Sequence, residues 1–309
     1  MLLALSLLLL AGLLAVFAPA IAEWLRPADT VALPIAAAYV EDQHRAAPAY
    51  RAWRAQHRVP RSSPYTGDQD DQRDLAPMHA DTDVSVPAAT RLRAFYSEQQ
   101  VWLEPGVTVE DWVYGRAVVA LADTHLSGSV EAAERVHLVS SAHFERLHAP
   151  VVQFGPETQV PEAPYPLVLF ETEATHSLRP LVTGTVVVPE RCLLDEDLVV
   201  TGDLHVGAGA RVRGSVKAGG KLVLDRGAVV EGNAFAAGDL VLGPHARVYG
   251  VASSEADVYA ATGVRVGLPD RLATLTGEHV RVVAGVTVHG TVWARREGIL
   301  DGRAARQAA

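Results

Sequence analysis

The sequence predicts an all-β fold, a parallel β-solenoid, on three observations: a six-residue repeat, glycine at one phase of it, and few aromatic side chains. Stepping by six from Leu198 through Leu204, Ala210, Val216 and Leu222 to Val264 lands on an apolar residue every time. Two residues further on, the series from Val200 to Val266 is also apolar, with Ser254 as its polar member. Glycine follows at Gly202, Gly214, Gly220, Gly232, Gly238 and Gly250. Apolar residues at i and i+2 share one face of a strand. A six-residue step drifts off the stripe of a helix, whose period is 3.6. The glycines then mark corners, where backbone freedom is needed. Only 6% of the chain is aromatic, which suits a narrow interior.

Three hexads make a triangular coil of eighteen residues, so each residue lies above the one eighteen before it. Parallel stacking pairs the backbone groups and buries the inward rows. A period of six is shared by left- and right-handed coils.

Along the chain, residues 1–22 carry no charged side chain and have the length of a single membrane-spanning helix. Arg26, Arg45, Arg51, Arg54, Arg58 and Arg61 follow, which places the rest of the chain on the cytoplasmic side of an inner membrane. The rival reading is a cleaved signal with Ala18-Pro19-Ala20 or Ala20-Ile21-Ala22 at its end. Residues 23–91 read as a juxtamembrane helix and a flexible linker, with Asp68-Gln69-Asp70-Asp71 as an acidic run. Residues 92–150 form a first solenoid block, marked by Val101/Leu103, Val107/Val109, Val118/Ala120, Val130/Ala132 and Val136/Leu138. The proline-rich segment 151–180 reads as a loop or chain reversal. The main solenoid spans 181–298. It breaks near Gly267-Leu268-Pro269-Asp270 and resumes two residues out of register at Val280/Val282. A tail, 299–309, closes the chain. Residues 101–109 and 280–288 share a Gly-Val-Thr-Val core behind a flanking valine.

A net charge of −9 argues against nucleic-acid binding. Lys217 and Lys221 are the only lysines. The single cysteine, Cys192, excludes an internal disulfide and sits at an inward phase, as a small buried residue would.

Chemistry is sparse. Walker, G-x-S-x-G, H-E-x-x-H and C-x-x-C motifs are all missing, so no catalytic, cofactor-binding or metal residue is assigned and the chain is expected not to be an enzyme. His125, His137 and His143 occupy outward positions. His125 and His143, eighteen residues apart, stack if the rung is regular, with Glu131 and Glu145 nearby in sequence. His205, His245, His279 and His289 read as surface histidines. Three outward rows follow from the rung. The first, His205, Val223, Val241 and Tyr259, is mostly apolar and is the candidate self-association or partner surface. The second is Arg211, Val229, Arg247 and Arg265. The third is Val199, Lys217, Phe235 and Ser253.

The segment from Val200 to Gly220 (VTGDLHVGAGARVRGSVKAGG), continued by Leu240-Val-Leu-Gly-Pro-His-Ala-Arg-Val-Tyr-Gly250, resembles the bactofilins, bacterial polymer-forming cytoskeletal proteins. The likeness covers about 180–300. It implies a right-handed β-helix that assembles end to end without nucleotide, associates with membranes and acts as a scaffold for cell shape and envelope enzymes. Partners would be other copies of the chain, the membrane through residues 1–22, and envelope proteins. The chain departs from the family pattern in its first block, its 151–180 segment and its apolar N-terminus. Its end beyond Ala294 is short and charged (Arg295, Arg296, Glu297), which reads as a cap. The alternative function is a hexapeptide-repeat transferase or metal-dependent enzyme using the outward histidines.

Overall fold

The computed structural model describes residues 78–80, 82–156 and 181–301. These residues form strands and turns throughout, in a β-solenoid of about eleven turns. No helix among them is long and apolar enough to cross a membrane. Residues 1–22, most of the 23–91 segment and residues 157–180 lie outside the described part.

The C-terminal block begins at Leu181. Leu204–Val206 lies beside Leu222–Leu224, which lies beside Leu240–Leu242 and then Val258–Ala260, each partner eighteen residues on. These strands are three residues long and alternate between buried ends and a more exposed centre. The inward Leu222, Leu224, Ala228, Val230 and Leu240 are fully buried.

The glycine phase has a different cause from the one the sequence suggests. The left-handed backbone sits at another corner, in a column of Arg191, Gly209, Gly227, His245, Gly263 and Gly285 with φ between 55° and 90°. Gly202, Gly214, Gly220, Gly232, Gly238 and Gly250 are absent from that positive-φ set. They are glycine because the previous rung passes too close for a Cβ. At Gly202 a Cβ would lie 2.7 Å from the Gly184 carbonyl oxygen. At Gly232 and Gly250 it would collide with Ser215 Oγ and Asn233 Oδ1. Those atoms accept from the next amides, Asn233 N at 3.1 Å and Val251 N at 2.9 Å. The corner is thus a side-chain ladder that glycine makes room for.

Beyond Val266 the partners move to twenty-two residues apart, Val258 with Val280 and Arg265 with Thr287. A tight turn closed by Leu268 and Arg271, with N–H···O distances of 2.9 and 3.0 Å, extrudes the extra residues.

The N-terminal block is built differently. Its strands Thr108–Ala120, Thr124–Leu138 and Ala142–Phe154 are 13, 15 and 13 residues long and turn corners through register shifts. Its first turns advance by seventeen residues, as in Arg91 with Thr108, Val101 with Val118 and Val109 with Leu126, instead of the eighteen read from the sequence. Its interior holds Phe95, Phe144, Phe154 and Leu126, all buried. Strands at Met78–Ala80 and Val84–Val86 already belong to it, within the stretch read as linker.

The coil does not run straight through from one block to the next. Ala142–Phe154 pairs antiparallel with Thr287–Asp301, with Gln153 opposite Thr287, Leu147 opposite Val292 and Ala142 opposite Leu300. The C-terminal end of each block therefore abuts the other. The C-terminal block visits the three faces in the order first, second, third, while the N-terminal block goes first, third, second. Reversing both axial direction and order of faces preserves hand, so the blocks are coils of the same hand related by a rotation. The charged residues after Ala294 cap nothing. They lie inside this seam, and the strand continues past 298 to Asp301.

Candidate functional site

The first outward row is longer than the sequence suggests. Strand register runs from Val187 through His205, Val223, Val241, Tyr259 and Arg281 to Ile299, crosses the seam to His143, and continues to His125, Thr108 and Arg91. The candidate contact row and the histidine pair are thus one line of side chains. His205, Val223 and Val241 are half-buried, whereas Tyr259 is 45% exposed. His205 Nε2 lies 2.7 Å from Asp225 Oδ2, so the row is not uniformly apolar.

His125 and His143 stack as the eighteen-residue spacing requires, with ring centroids 4.9 Å apart and planes 15° from parallel. A third group joins them from the other block: Glu297 Oε1 lies 2.9 Å from His143 Nδ1. A bulge puts it there. Trp293 pairs with Arg146 and Gly298 with Phe144, so residues 294–297 oppose Glu145 alone; Ala294 stays buried while Arg295, Arg296 and Glu297 are exposed. Gly298 tolerates no side chain, because a Cβ would run into the Phe144 ring. Arg295 and Arg296 anchor the bulge, the first donating to Ser254 O at 3.1 Å and the second paired with Glu278. His125, Ser127, His143, Glu145, Arg296 and Glu297 line an open depression of about 240 Å³. Among the described residues, no group of three or more His, Cys, Asp or Glu side chains could hold a metal ion.

His137 does not join this group. It lies on the second row, one strand from Gln153, with Nε2 2.7 Å from Gly155 O. Glu131 does not join either. It faces the third side, is 4% exposed and accepts from Ser129 Oγ at 3.3 Å. It belongs to a run of outward yet buried side chains: Tyr96 stacked on Tyr114 at 5.1 Å, then Glu131 and His148, with His148 Nδ1 2.7 Å from Thr291 Oγ1.

The remaining histidines have local partners. His279 Nδ1 meets Asp257 Oδ1 at 2.8 Å, and His289 Nδ1 lies 3.2 Å from Pro150 O. His245 holds a left-handed φ of 60°, and its ring covers the space where Gly263 would carry a Cβ. Burial, and then Arg226, Arg247 and Arg265, hold its pKa below the usual imidazole value. On the third row the Lys217 ammonium lies 5.1 Å from the Phe235 ring centroid, an attractive cation–π arrangement.

Among the described residues, nothing stacks on the start of the C-terminal block. Leu181 and Val187 are 65% and 63% exposed, and Val182, Val186, Cys192 and Leu194 are only partly buried against the core. Cys192, on the first described rung of this block, is half-buried. The corresponding end of the N-terminal block has Val84 as its one partly buried apolar residue among those described. No family model, curated protein or solved structure matches the chain. What sequence reasoning missed is Glu297. No local pattern in the sequence points to it, since it lies 154 residues from His143.

Proposed function

We propose that this chain is a membrane-anchored structural scaffold of bactofilin type, which self-assembles through its β-solenoid and positions cell-envelope or cell-shape proteins. In this reading residues 1–22 are a retained single-pass anchor in the inner membrane, the solenoid faces the cytoplasm, and the coil is right-handed. Its partners are other copies of itself and envelope proteins, without nucleotide, metal or other cofactor in the assembly.

The exposed apolar side chains of Leu181–Leu194, a rung on which no described strand stacks from outside, are the observation that carries this reading. A terminal rung leaves a row of backbone donors and acceptors unpaired and an apolar cross-section in water. The seam illustrates one way for this chain to satisfy such an end, by antiparallel pairing with a second terminal rung. A second copy offers the same chemistry at Leu181–Leu194. Contact through that end alone gives two-fold dimers; contact through both outer ends gives filaments.

The test is the full chain in mild detergent, observed by negative-stain microscopy and by light scattering. Dimers or filaments without nucleotide, dispersed by the double change Leu181→Glu and Val187→Glu, are expected. A monomer at every concentration, or assemblies indifferent to those changes, overturns assembly through this end.

A further inference from the structure

We infer that Arg226, His245 and Arg265, with Arg247 alongside, form a binding site for one phosphate group, free or carried by a lipid headgroup. The site lies where the corner after the first outward row meets the second row. It shares no residue with Leu181–Leu194 and does not rest on the scaffold reading.

The chain has a net charge of −9, yet its charges are sorted around the coil. In the C-terminal block Asp203, Asp239 and Asp257 fall at one corner, just before the first-row strands that start at Leu204, Leu240 and Val258. Arginine gathers past the next corner. Arg247 and Arg265 lie directly opposite each other on adjacent parallel strands, about 4.8 Å apart. Arg226 sits one rung below, in the turn whose next residue, Gly227, donates to Pro244 O at 2.9 Å. Like charges placed this way repel and cost stability. The acids nearest in sequence are already used, Asp225 by His205 at 2.7 Å and Glu231 by Arg211. Among the described residues, the guanidiniums of Arg226 and Arg265 make no hydrogen bond or ion pair, whereas Arg247 is engaged in a contact of its own.

The backbone supplies a second, independent observation. The rungs on either side carry Gly227 and Gly263 at the left-handed corner, whereas position 245 is a histidine with φ of 60°. A side chain there costs what glycine does not, and backbone strain of this kind collects where a side chain is used. The half-buried ring lies against Gly263, two residues before Arg265. Burial, and then Arg226, Arg247 and Arg265, hold its pKa below the usual imidazole value. The imidazole is therefore neutral near pH 7, with one N–H to donate.

These donors select phosphate. Guanidinium forks give phosphate oxygens charge-assisted, often bidentate hydrogen bonds. A carboxylate offers two oxygens and one charge, whereas a phosphate monoester offers three acceptor oxygens and nearly two charges. Two uncommitted guanidiniums, a third beside them and an imidazole N–H match the larger demand. A phosphate held there also relieves the repulsion among the arginines, so it stabilises the folded chain.

The experiment titrates the full chain, in non-ionic detergent and phosphate-free buffer, by calorimetry at constant ionic strength so that screening stays fixed. The probes are inorganic phosphate and glycerophosphoglycerol, the water-soluble headgroup of phosphatidylglycerol. Expected is saturable binding of one equivalent per chain; tighter binding of the first probe assigns a free phosphate, and tighter binding of the second a headgroup. Arg226→Gln and Arg265→Gln should each weaken it about tenfold, the worth of one hydrogen bond to a charged group. The double variant should bind neither probe. Lys217→Gln, which removes a positive charge from the third row, should leave binding unchanged. His245→Gly, the residue of the neighbouring rungs, should weaken binding in a chain that stays folded. With phosphate bound, the His245 ring should titrate at higher pH by nuclear magnetic resonance, because an adjacent anion favours its cation. Circular dichroism confirms that each variant is folded. Wild type that binds neither probe saturably overturns the inference. So does binding that survives intact in the Arg226→Gln/Arg265→Gln variant, or that falls equally in Lys217→Gln.

Discussion

The two blocks solve the same problem, a closed parallel coil, by different means. In the C-terminal block, strands of two or three residues alternate with corners made by glycine and by the side chains of Asp197, Ser215 and Asn233, which cap amides one rung on. Its interior is valine, leucine and alanine. In the N-terminal block, strands of 13–15 residues bend around the corners and the interior admits Phe95, Phe144 and Phe154. The difference teaches where periodicity comes from. A side-chain ladder at the corner requires the same residue type at the same place on every rung, so it writes a strict period into the sequence. A corner made by a bulge needs only local slack, and the turn length then wanders between sixteen and eighteen residues.

Four expected outcomes would break or sharpen that comparison. Phe144 is buried at the seam, with its ring 5.5 Å from Phe154 and directly over Gly298. Phe144→Ala should cost about 4 kcal/mol. It should also uncouple the blocks, so that denaturant unfolding shows two transitions; a single unchanged transition would mean that the seam is not what makes them cooperative. Leu222→Ala, in the middle of the C-terminal block, should cost about 3 kcal/mol. Because solenoid stability is carried by nearest neighbours, hydrogen exchange should speed up around that rung and stay slow at Val109 and Val130; uniform loss of protection across both blocks would contradict the nearest-neighbour picture.

Gly232→Ala probes the corner itself. Its methyl meets Ser215 Oγ and the Gly214 backbone, so about 2 kcal/mol should be lost from the crowding and the displaced Asn233 N–H bond. Ser215→Gly in the same chain should recover part of that loss in a double-mutant cycle, and strict additivity would separate the glycine from the ladder.

The smallest effect concerns pH. His245 and His289 both have folded pKa values below the ordinary 6.5, in each case with burial as the largest cause. The unfolded chain therefore binds these protons first, so their contribution to stability is present above about pH 6.5 and is lost as pH falls through that value. Asparagine tolerates the left-handed backbone at 245. His245→Asn should accordingly reduce the drop in Tm between about pH 7.5 and 5.5; a steeper drop in the variant would reverse the assigned sign.

Much of the C-terminal block was legible because its corners repeat. The inward set, the eighteen-residue rung and the stacked His125 and His143 all follow from counting residues. The role of glycine was not legible: close approach of the previous rung and left-handed backbone both select glycine, and only the corner geometry separates them. The seventeen-residue turns were hidden for a related reason, since pairs such as Val101/Leu103 and Val118/Ala120 look equally good at either spacing. His125 and His143 were visible as a pair, whereas Glu297 lies 154 residues from His143 and no local pattern connects them.

By itself, then, the sequence determined the coil: apolar pairs at i and i+2, every six residues, can be buried together only if strands stack in parallel around a narrow interior. The tertiary structure decided the polarity with which the two coils meet, because strand edges present the same unpaired groups in either direction. It also decided which side chains that meeting brings together. The antiparallel seam and its bulge place Glu297 beside His143 and leave Leu181–Leu194 as the outermost described rung of its block.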